Sequence, residues 1–299
     1  MERSIVESAA AYDYGAFRRD LALLAQRYGQ LRTEMLGCSV MGRELLCVRL
    51  GSGPRRVHIN AAFHANEWIT SLVLMSVLEE LAGADEQNSL FAGRSARRLL
   101  ANNTLWLVPM VNPDGVELVL HGPCSAPPLQ CGLLAQNGGS CDFSGWKANI
   151  RGIDLNDQFP AHWEEERARR FVPEPGPRDY GGEAPLTESE AQAIALLTLD
   201  VDFHRAMALH TQGEEIYWNY RECEPPEAEV LAARMAAASG YKAVKLADSD
   251  AGYKDWFIQL YRRPGFTIEL GCGVNPLPVS QLPQLLGAAR AIIGELLED

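Results

Sequence analysis

Apolar and polar positions along the chain follow two alternating periods, and each switch between them predicts a new element. Residues 15–29 place Phe17, Leu21, Leu24 and Tyr28 at helical spacing, the signature of an amphipathic helix with one apolar face. An apolar alternation then runs from Glu44 to Leu50 until Gly51-Ser52-Gly53-Pro54 breaks it. Short, densely apolar runs predict buried strands at 55–62, 104–110, 205–211 and 265–270. Longer stripes predict helices at 69–82, 187–199, 225–239 and 279–297, the second of these opening with Thr187-Glu188-Ser189-Glu190, which has the form of a capping box. Strands alternating with helices imply an α/β fold, a mainly parallel sheet covered on both faces.

Two segments fall outside this rhythm. Residues 121–145 are rich in Gly, Pro and Cys, and residues 164–186 combine a charged run from Glu164 to Arg170 with Pro173, Pro175, Pro177 and Gly181-Gly182. Long loops of this kind are either functional lids or solvated excursions. Neither is simple enough to be a linker and no internal repeat occurs, so residues 1–299 read as one domain.

Composition narrows the class. At 47% hydrophobic and 22% charged, the 299 residues are those of an ordinary globular protein with a sizeable core. A net charge of −12 argues against nucleic acid or an anionic membrane as partner, since both reward clustered Lys and Arg. An anionic substrate would need a local positive patch. The acidic N-terminus lacks the apolar core of a signal peptide, and no uncharged apolar run reaches the roughly 18 residues of a spanning helix, so the expected location is the cytoplasm. Seven scattered cysteines without Cys-x-x-Cys spacing suit a reduced chain, although the denser group Cys124, Cys131 and Cys141 leaves room for a local disulfide or thiolate site.

Candidate chemistry begins at His58-Ile59-Asn60-Ala61-Ala62-Phe63-His64-Ala65-Asn66-Glu67-Trp68, where a predicted strand turns into a predicted helix. A His-x-x-Glu pair on such a turn offers two ligands to a catalytic zinc, which takes three protein ligands and keeps a position for water. The same spacing also suits Glu67 as an early helix carboxylate stabilised by the helix dipole. His210 closes a second strand and Glu269 a third, and a carboxylate ending an apolar strand either reaches solvent or has a function. Between them lie Asn112-Pro113-Asp114-Gly115 and Gly152-Ile153-Asp154-Leu155-Asn156.

These five motifs, in this order across residues 12–295, resemble the zinc carboxypeptidase family. The resemblance implies a single α/β domain with a mixed, mostly parallel sheet of about eight strands flanked by helices. It also implies one zinc per chain held by His64, Glu67 and His210, with Glu269 as general base and acid. The strings from Trp146 to Ala161 and from Ala251 to Gln259 resemble the branch of bacterial γ-D-glutamyl-diamino acid peptidases, which cut cell-wall peptides.

Departures from the family are equally informative. In its digestive members an Asn-Arg pair clamps the substrate's terminal carboxylate; the matching pair here is Asn156-Asp157, and an Asp repels a carboxylate that an Arg fork would bind. The family's oxyanion arginine aligns with Lys147, with Arg151 as a nearby alternative. Its mobile tyrosine falls on Ala247, so that role is vacant or passes to Tyr253, while Lys254 matches a position lining the specificity pocket. The expected reaction is therefore hydrolysis of the γ-D-glutamyl-diamino acid bond of a small muropeptide-like substrate, whose carboxylates would be met by Arg151, Lys254 and Arg262 or Arg263. The alternatives are a metallocarboxypeptidase of other specificity, a zinc amidohydrolase of N-acyl amino acids, or a binding protein that has lost activity.

Overall fold

A computed structural model describes residues 4–7 and 11–298; residues 1–3, 8–10 and 299 lie outside the described residues, and with them part of the N-terminal segment read above for targeting signals. The chain opens with helix α1 (Tyr14–Arg27), then β1 (Arg32–Cys38), β2 (Glu44–Gly51), β3 (Arg55–Ala61) and α2 (Ile69–Glu86). A small hairpin, β4 (Leu90–Phe91) and β5 (Arg94–Ser95), leads through α3 (Ala96–Asn102) to β6 (Asn103–Val108), α4 (Pro113–His121), α5 (Gln130–Gln136) and α6 (Trp163–Arg170). The second half runs α7 (Ser189–Val201), β7 (Arg205–His210), β8 (Glu215–Tyr217), α8 (Pro226–Ser239), β9 (Lys242–Val244), α9 (Tyr253–Tyr261), β10 (Gly265–Glu269) and α10 (Leu282–Leu297).

Eight strands form one sheet in the order β1-β2-β6-β3-β7-β10-β8-β9. The central strands β6, β3, β7 and β10 are parallel, while β1, β2 and the β10–β8 pair run antiparallel, which makes the sheet mixed as expected. Side chains on β7 alternate between two cores. Met207 and Leu209 join the cluster filled by α1, α2, α8 and α10, whereas Ala206 and Ala208 face the cluster of α7 and α9. All six residues of β7 are buried, which is why its sequence reads as a continuous apolar run instead of a period of two.

The central strands and long helices start and end within a few residues of their predicted bounds. Differences arise where tertiary contacts replace local signals. Thr187 caps nothing: its N–H and hydroxyl both donate to Gln158 Oε1, at 2.8 and 3.0 Å, and α7 starts instead after Glu188 with no side-chain cap. The charged run from Glu164 to Arg170 is not loop but helix α6, whose acidic first turn and basic last turn complement the helix dipole. The Gly-, Pro- and Cys-rich stretch contains α5 and packs a third cluster, with Leu133, Phe143, Trp146, Ala148 and Ile150 buried against Ala65 and Leu118. Its cysteines, like the other four, are free thiols.

The motif Asn112-Pro113-Asp114-Gly115 explains how the edge of the sheet is held. Asn112 caps α4, accepting the Gly115 N–H at 3.0 Å, while its amide donates to the carbonyls of Phe63 and Ala148, each at 3.1 Å. Asp114 accepts from Ser39 Oγ and the Met41 N–H, both at 2.8 Å, and pairs with Arg43. Gly115 is required by proximity, since a Cβ there would sit 2.7 Å from Ala65 Cβ and 2.6 Å from Asn112 Oδ1. Gly115→Ala should therefore cost about 1–3 kcal/mol through overpacking, read as a lower urea midpoint. An unchanged midpoint would show that the backbone around Ala65 has slack to yield.

Candidate metal centre

Strand register brings the candidate residues together. β7 lies between β3 and β10, with Ala61 paired to Leu209 and His210 paired to Glu269, so the carboxyl ends of three adjacent parallel strands meet at one edge. Beyond β3 the chain makes a tight turn in which the Glu67 N–H donates to the His64 carbonyl at 3.1 Å, placing both side chains on the same side. Thr70 locks this turn: its hydroxyl donates to the Glu67 carbonyl at 2.7 Å and accepts the Ala62 N–H at 2.9 Å.

His64, Glu67 and His210 are all buried, with donor atoms close enough to hold one metal ion. His64 Nδ1 lies 2.9 Å from Glu67 Oε1, His210 Nδ1 lies 3.0 Å from Glu67 Oε2, and the two Nδ1 atoms are 3.1 Å apart. Two imidazole nitrogens at that separation repel unless a proton or cation lies between them. Zinc bonds of about 2.0–2.2 Å in tetrahedral arrangement separate ligand atoms by roughly 3.3–3.6 Å, only a few tenths above the observed spacing. Two nitrogens and one carboxylate are also the ligand set that zinc takes in hydrolases, so these residues fit the ion.

A line of alternating charges supports the ligands. Asp154 Oδ1 faces His64 Nε2 at 3.2 Å, Asp154 Oδ2 holds Lys147 Nζ at 2.8 Å, and Asp179 Oδ1 lies 3.6 Å from the same ammonium. The Thr211 N–H adds a donor to Glu67 Oε2 at 3.2 Å. Burial works against the charge on His64, but Glu67 and then Asp154 outweigh it and raise its pKa to about 9. Burial likewise disfavours ionised Glu67, yet the two histidines pull it well below the usual carboxylate range. Glu269, at the rim, goes the other way: loss of solvent, then the charge of Glu67, push it up to about 8.

The remaining sequence candidates separate. Lys147 stands in the ligand network, whereas Arg151 is 55% exposed and turned toward Glu188 at 3.8 Å. Asn156 is half-buried and accepts the Tyr253 N–H at 3.3 Å. Asp157 is buried, with Arg170 Nε 3.6 Å from its Oδ2. Tyr253 is not a cleft residue: it is fully buried, stacks on Phe63, meets Phe159 edge-on, and shares a hydrogen bond with Thr198 Oγ1 at 3.1 Å. Lys254 is spent internally on Asp255 and on the Asn219 carbonyl at 2.7 Å. Arg262 caps α9 and Arg263 binds Asp202 at 2.7 Å, before β10 begins, roughly 20 Å of extended chain from Glu269.

Beside Glu67 opens a cavity of about 290 Å³, lined by Asn66, Lys147, Arg178, Asp179, Gln212 and Asn275 among others. Asp154 was legible in Gly-Ile-Asp-Leu-Asn as a motif residue, though its role as orienter of His64 was not. Arg178 and Asp179 carry no sequence signal, because they come from the Pro- and Gly-rich segment.

Comparisons with known proteins agree with this geometry. A family model described as zinc carboxypeptidase matches residues 18–289. The chain is 47% identical over 288 residues to γ-D-glutamyl-L-diamino acid endopeptidase 1 of Lysinibacillus sphaericus, covering 96% of this chain and 72% of that protein. It is 40% identical over 294 residues to the uncharacterized protein YqgT of Bacillus subtilis, covering 97% and 78%. Among solved structures, bovine thrombin-activatable fibrinolysis inhibitor superposes with a TM-score of 0.76 at 17% identity, covering 99% of this chain and 98% of that one. Murein-tripeptide amidase MpaA of Escherichia coli O157 has a TM-score of 0.54 at 20% identity, covering 87% and 90%; at such identities the likeness concerns the fold alone.

Two measurements test the site. Asp154→Asn should weaken zinc binding about 10- to 100-fold in a chelator competition, as loss of a histidine-orienting carboxylate does elsewhere. Asp157 has its pKa raised to about 7, by burial first and by Asp154 second. Its ordinary value is 3.8, so the folded state is fully stable with respect to this group below that pH and loses stability as pH rises through about 7. Asp157→Asn should accordingly raise the thermal midpoint more at pH 8 than at pH 5; an equal change at both would refute the strained carboxylate.

Proposed function

The chain belongs to the zinc carboxypeptidase family, and from that premise we propose that it hydrolyses the γ-D-glutamyl-diamino acid bond of soluble peptidoglycan-derived peptides. It is a zinc metallopeptidase, with His64, Glu67 and His210 able to bind one metal ion. The observation that carries the finer reading is Asp157. Where a carboxypeptidase would offer an arginine to a C-terminal carboxylate, this chain buries a carboxyl group among Asp154, Glu166 and Arg170. A substrate whose terminus is read by that position would meet no fork of N–H donors. The endopeptidase name of the 47% identical relative supports the same reading.

When bound, zinc supplies Lewis acidity, polarising a carbonyl and lowering the pKa of a water. The rest of the chemistry belongs to this chain. Glu269 Oε takes a proton from the attacking water and returns it to the leaving amine, a task suited to a carboxyl group whose pKa is lifted toward neutrality by its surroundings. Lys147 Nζ, held by Asp154 and Asp179, presents a fixed positive charge where the carbonyl oxygen gains negative charge. Asn66 and Gln212 offer amides along the cavity for the peptide backbone, while the Asn275 amide is held by Thr211. The proposal sets the reaction in the cytoplasm, in keeping with seven free cysteines and with the lack, among the described residues, of a helix long and apolar enough to cross a membrane.

Incubating the zinc-loaded protein with L-Ala-γ-D-Glu-meso-diaminopimelate and with a hippuryl amino acid, followed by mass spectrometry, should release diaminopimelate and leave the second peptide intact. Cleavage of the hippuryl substrate alone would overturn the proposal. Glu269→Gln should lower kcat by about 10²- to 10⁴-fold while zinc remains bound in a metal assay. Retained turnover would remove Glu269 from the mechanism.

A further inference from the structure

Residues 176–180 are strapped against the segment that carries Lys147 and Asp154. The N–H groups of Lys147 and Ala148 both donate to the Pro177 carbonyl, at 2.8 and 3.0 Å, and the Asp154 N–H donates to the Tyr180 carbonyl at 2.8 Å. The Gly176 N–H completes the strap on the Gly152 carbonyl at 3.0 Å. Approach there is close enough that a Cβ on Gly152, whose φ is +78°, would lie 2.7 Å from Gly176 N. Arg178 and Asp179 sit between the anchors at Pro177 and Tyr180, so their backbone positions are set before any ligand arrives.

The two side chains have different fates. Asp179 Oδ1 is 3.6 Å from both Lys147 Nζ and Arg170 Nη1, and its charge is met inside the protein. Arg178 is exposed, lines the 290 Å³ cavity with Glu67 and Lys147, and has no carboxylate partner among the described residues. One guanidinium nitrogen donates to the Gly145 carbonyl at 3.3 Å, which orients the plane and leaves the remaining N–H groups free. Of the cations expected from sequence, Arg151 faces Glu188, Lys254 pairs with Asp255 and Arg263 with Asp202, while Arg262 caps α9 ahead of β10 and does not line the cavity.

We propose that Arg178 is a specificity-determining residue that binds a free carboxylate of the substrate close to the scissile bond, and so selects peptides carrying that carboxylate over their amidated counterparts. The proposal rests on the γ-D-glutamyl reading above. Two carboxylates of such a substrate qualify: the α-carboxylate of the D-glutamyl residue and a carboxylate of the leaving diamino acid. Both present the same planar pair of oxygens to a guanidinium, and an amide in their place carries no charge and turns an N–H donor against the cation.

The test uses zinc-loaded Glu269→Gln protein, so that binding is measured without turnover. Calorimetric titration compares L-Ala-γ-D-Glu-meso-diaminopimelate with one analogue amidated at the D-glutamyl α-carboxylate and another amidated on the diamino acid. One amidation should weaken binding about 10- to 100-fold, the usual range for a charged hydrogen-bonded contact, and it identifies which carboxylate is read. Adding Arg178→Gln should bring the free peptide down to the level of its amide, and Arg178→Lys should restore part of the difference. In the active protein the same change should raise KM more than it lowers kcat. Discrimination that survives Arg178→Gln, or that neither amidation affects, overturns the proposal. Failure of the γ-glutamyl reading looks different: the active protein would cleave only α-linked peptides, and the same titration with the acid and amide forms of the peptide it does cleave then decides the role of Arg178.

Discussion

Burying ionised groups at the end of a β-sheet is tolerable only if each meets an opposite charge or a metal, and this requirement organises the molecule. Glu67, Asp154 and His64 all lie inside, where an isolated charge costs several kcal/mol or more. The cost is offset by partners arranged in line, from Glu67 through His64 and Asp154 to Lys147 and Asp179. Such a line holds its geometry because its members stand on different rigid supports. β3 and β7 set the histidines, the capped start of α4 braces the turn between them, and the strap at 176–180 holds the lysine segment. The residual mismatch, two facing imidazole nitrogens beside one carboxylate, is what a zinc ion resolves.

The irregular segments are as structural as the sheet. Trp146 is fully buried and its indole N–H donates to the Asn149 carbonyl at 3.0 Å, so a stretch whose composition reads as loop becomes the base on which Lys147 stands. Helix α6 is tied down by a second charge network. Asp250, buried, accepts from Tyr220 Oη at 2.7 Å and Arg221 Nε at 2.8 Å and pairs with Arg169. That network joins α6 to the chain just ahead of α9, while Arg170 turns inward to Asp157 and Asp179. Replacing a family arginine by Asp157 is thus more than loss of a cation. The buried carboxyl group is packed against Arg170, while Arg178 on the strap stays exposed beside the cavity.

Much of this was readable from the chain itself. The central strands and long helices follow from apolar periodicity, which depends only on neighbours in sequence. His64, Glu67, His210 and Glu269 could be picked out because each stands at or just beyond the end of a strand, and strands of a parallel sheet end on a common edge. Short elements such as β8, β9 and α6 were missed because their residues are polar or few, and contacts with distant chain hold them in place. Tyr253 and Lys254 are buried away from the cavity for a related reason. A position in a motif fixes where the backbone goes, but Thr198 and Asp255 decide which way the side chain turns.

By itself, then, the order of residues determined an α/β sheet, a His-Glu-His metal set and an Asp at position 157, since strand-end positions and residue types suffice for each. Only the tertiary structure decided which cations are available. Arg151, Lys254, Arg263 and Arg178 are alike as letters in a chain, and a cation's freedom depends on whether the fold brings a carboxylate within reach. Three of them meet one, and the fourth, carried on a strap whose course no local pattern announces, is left facing the metal cavity.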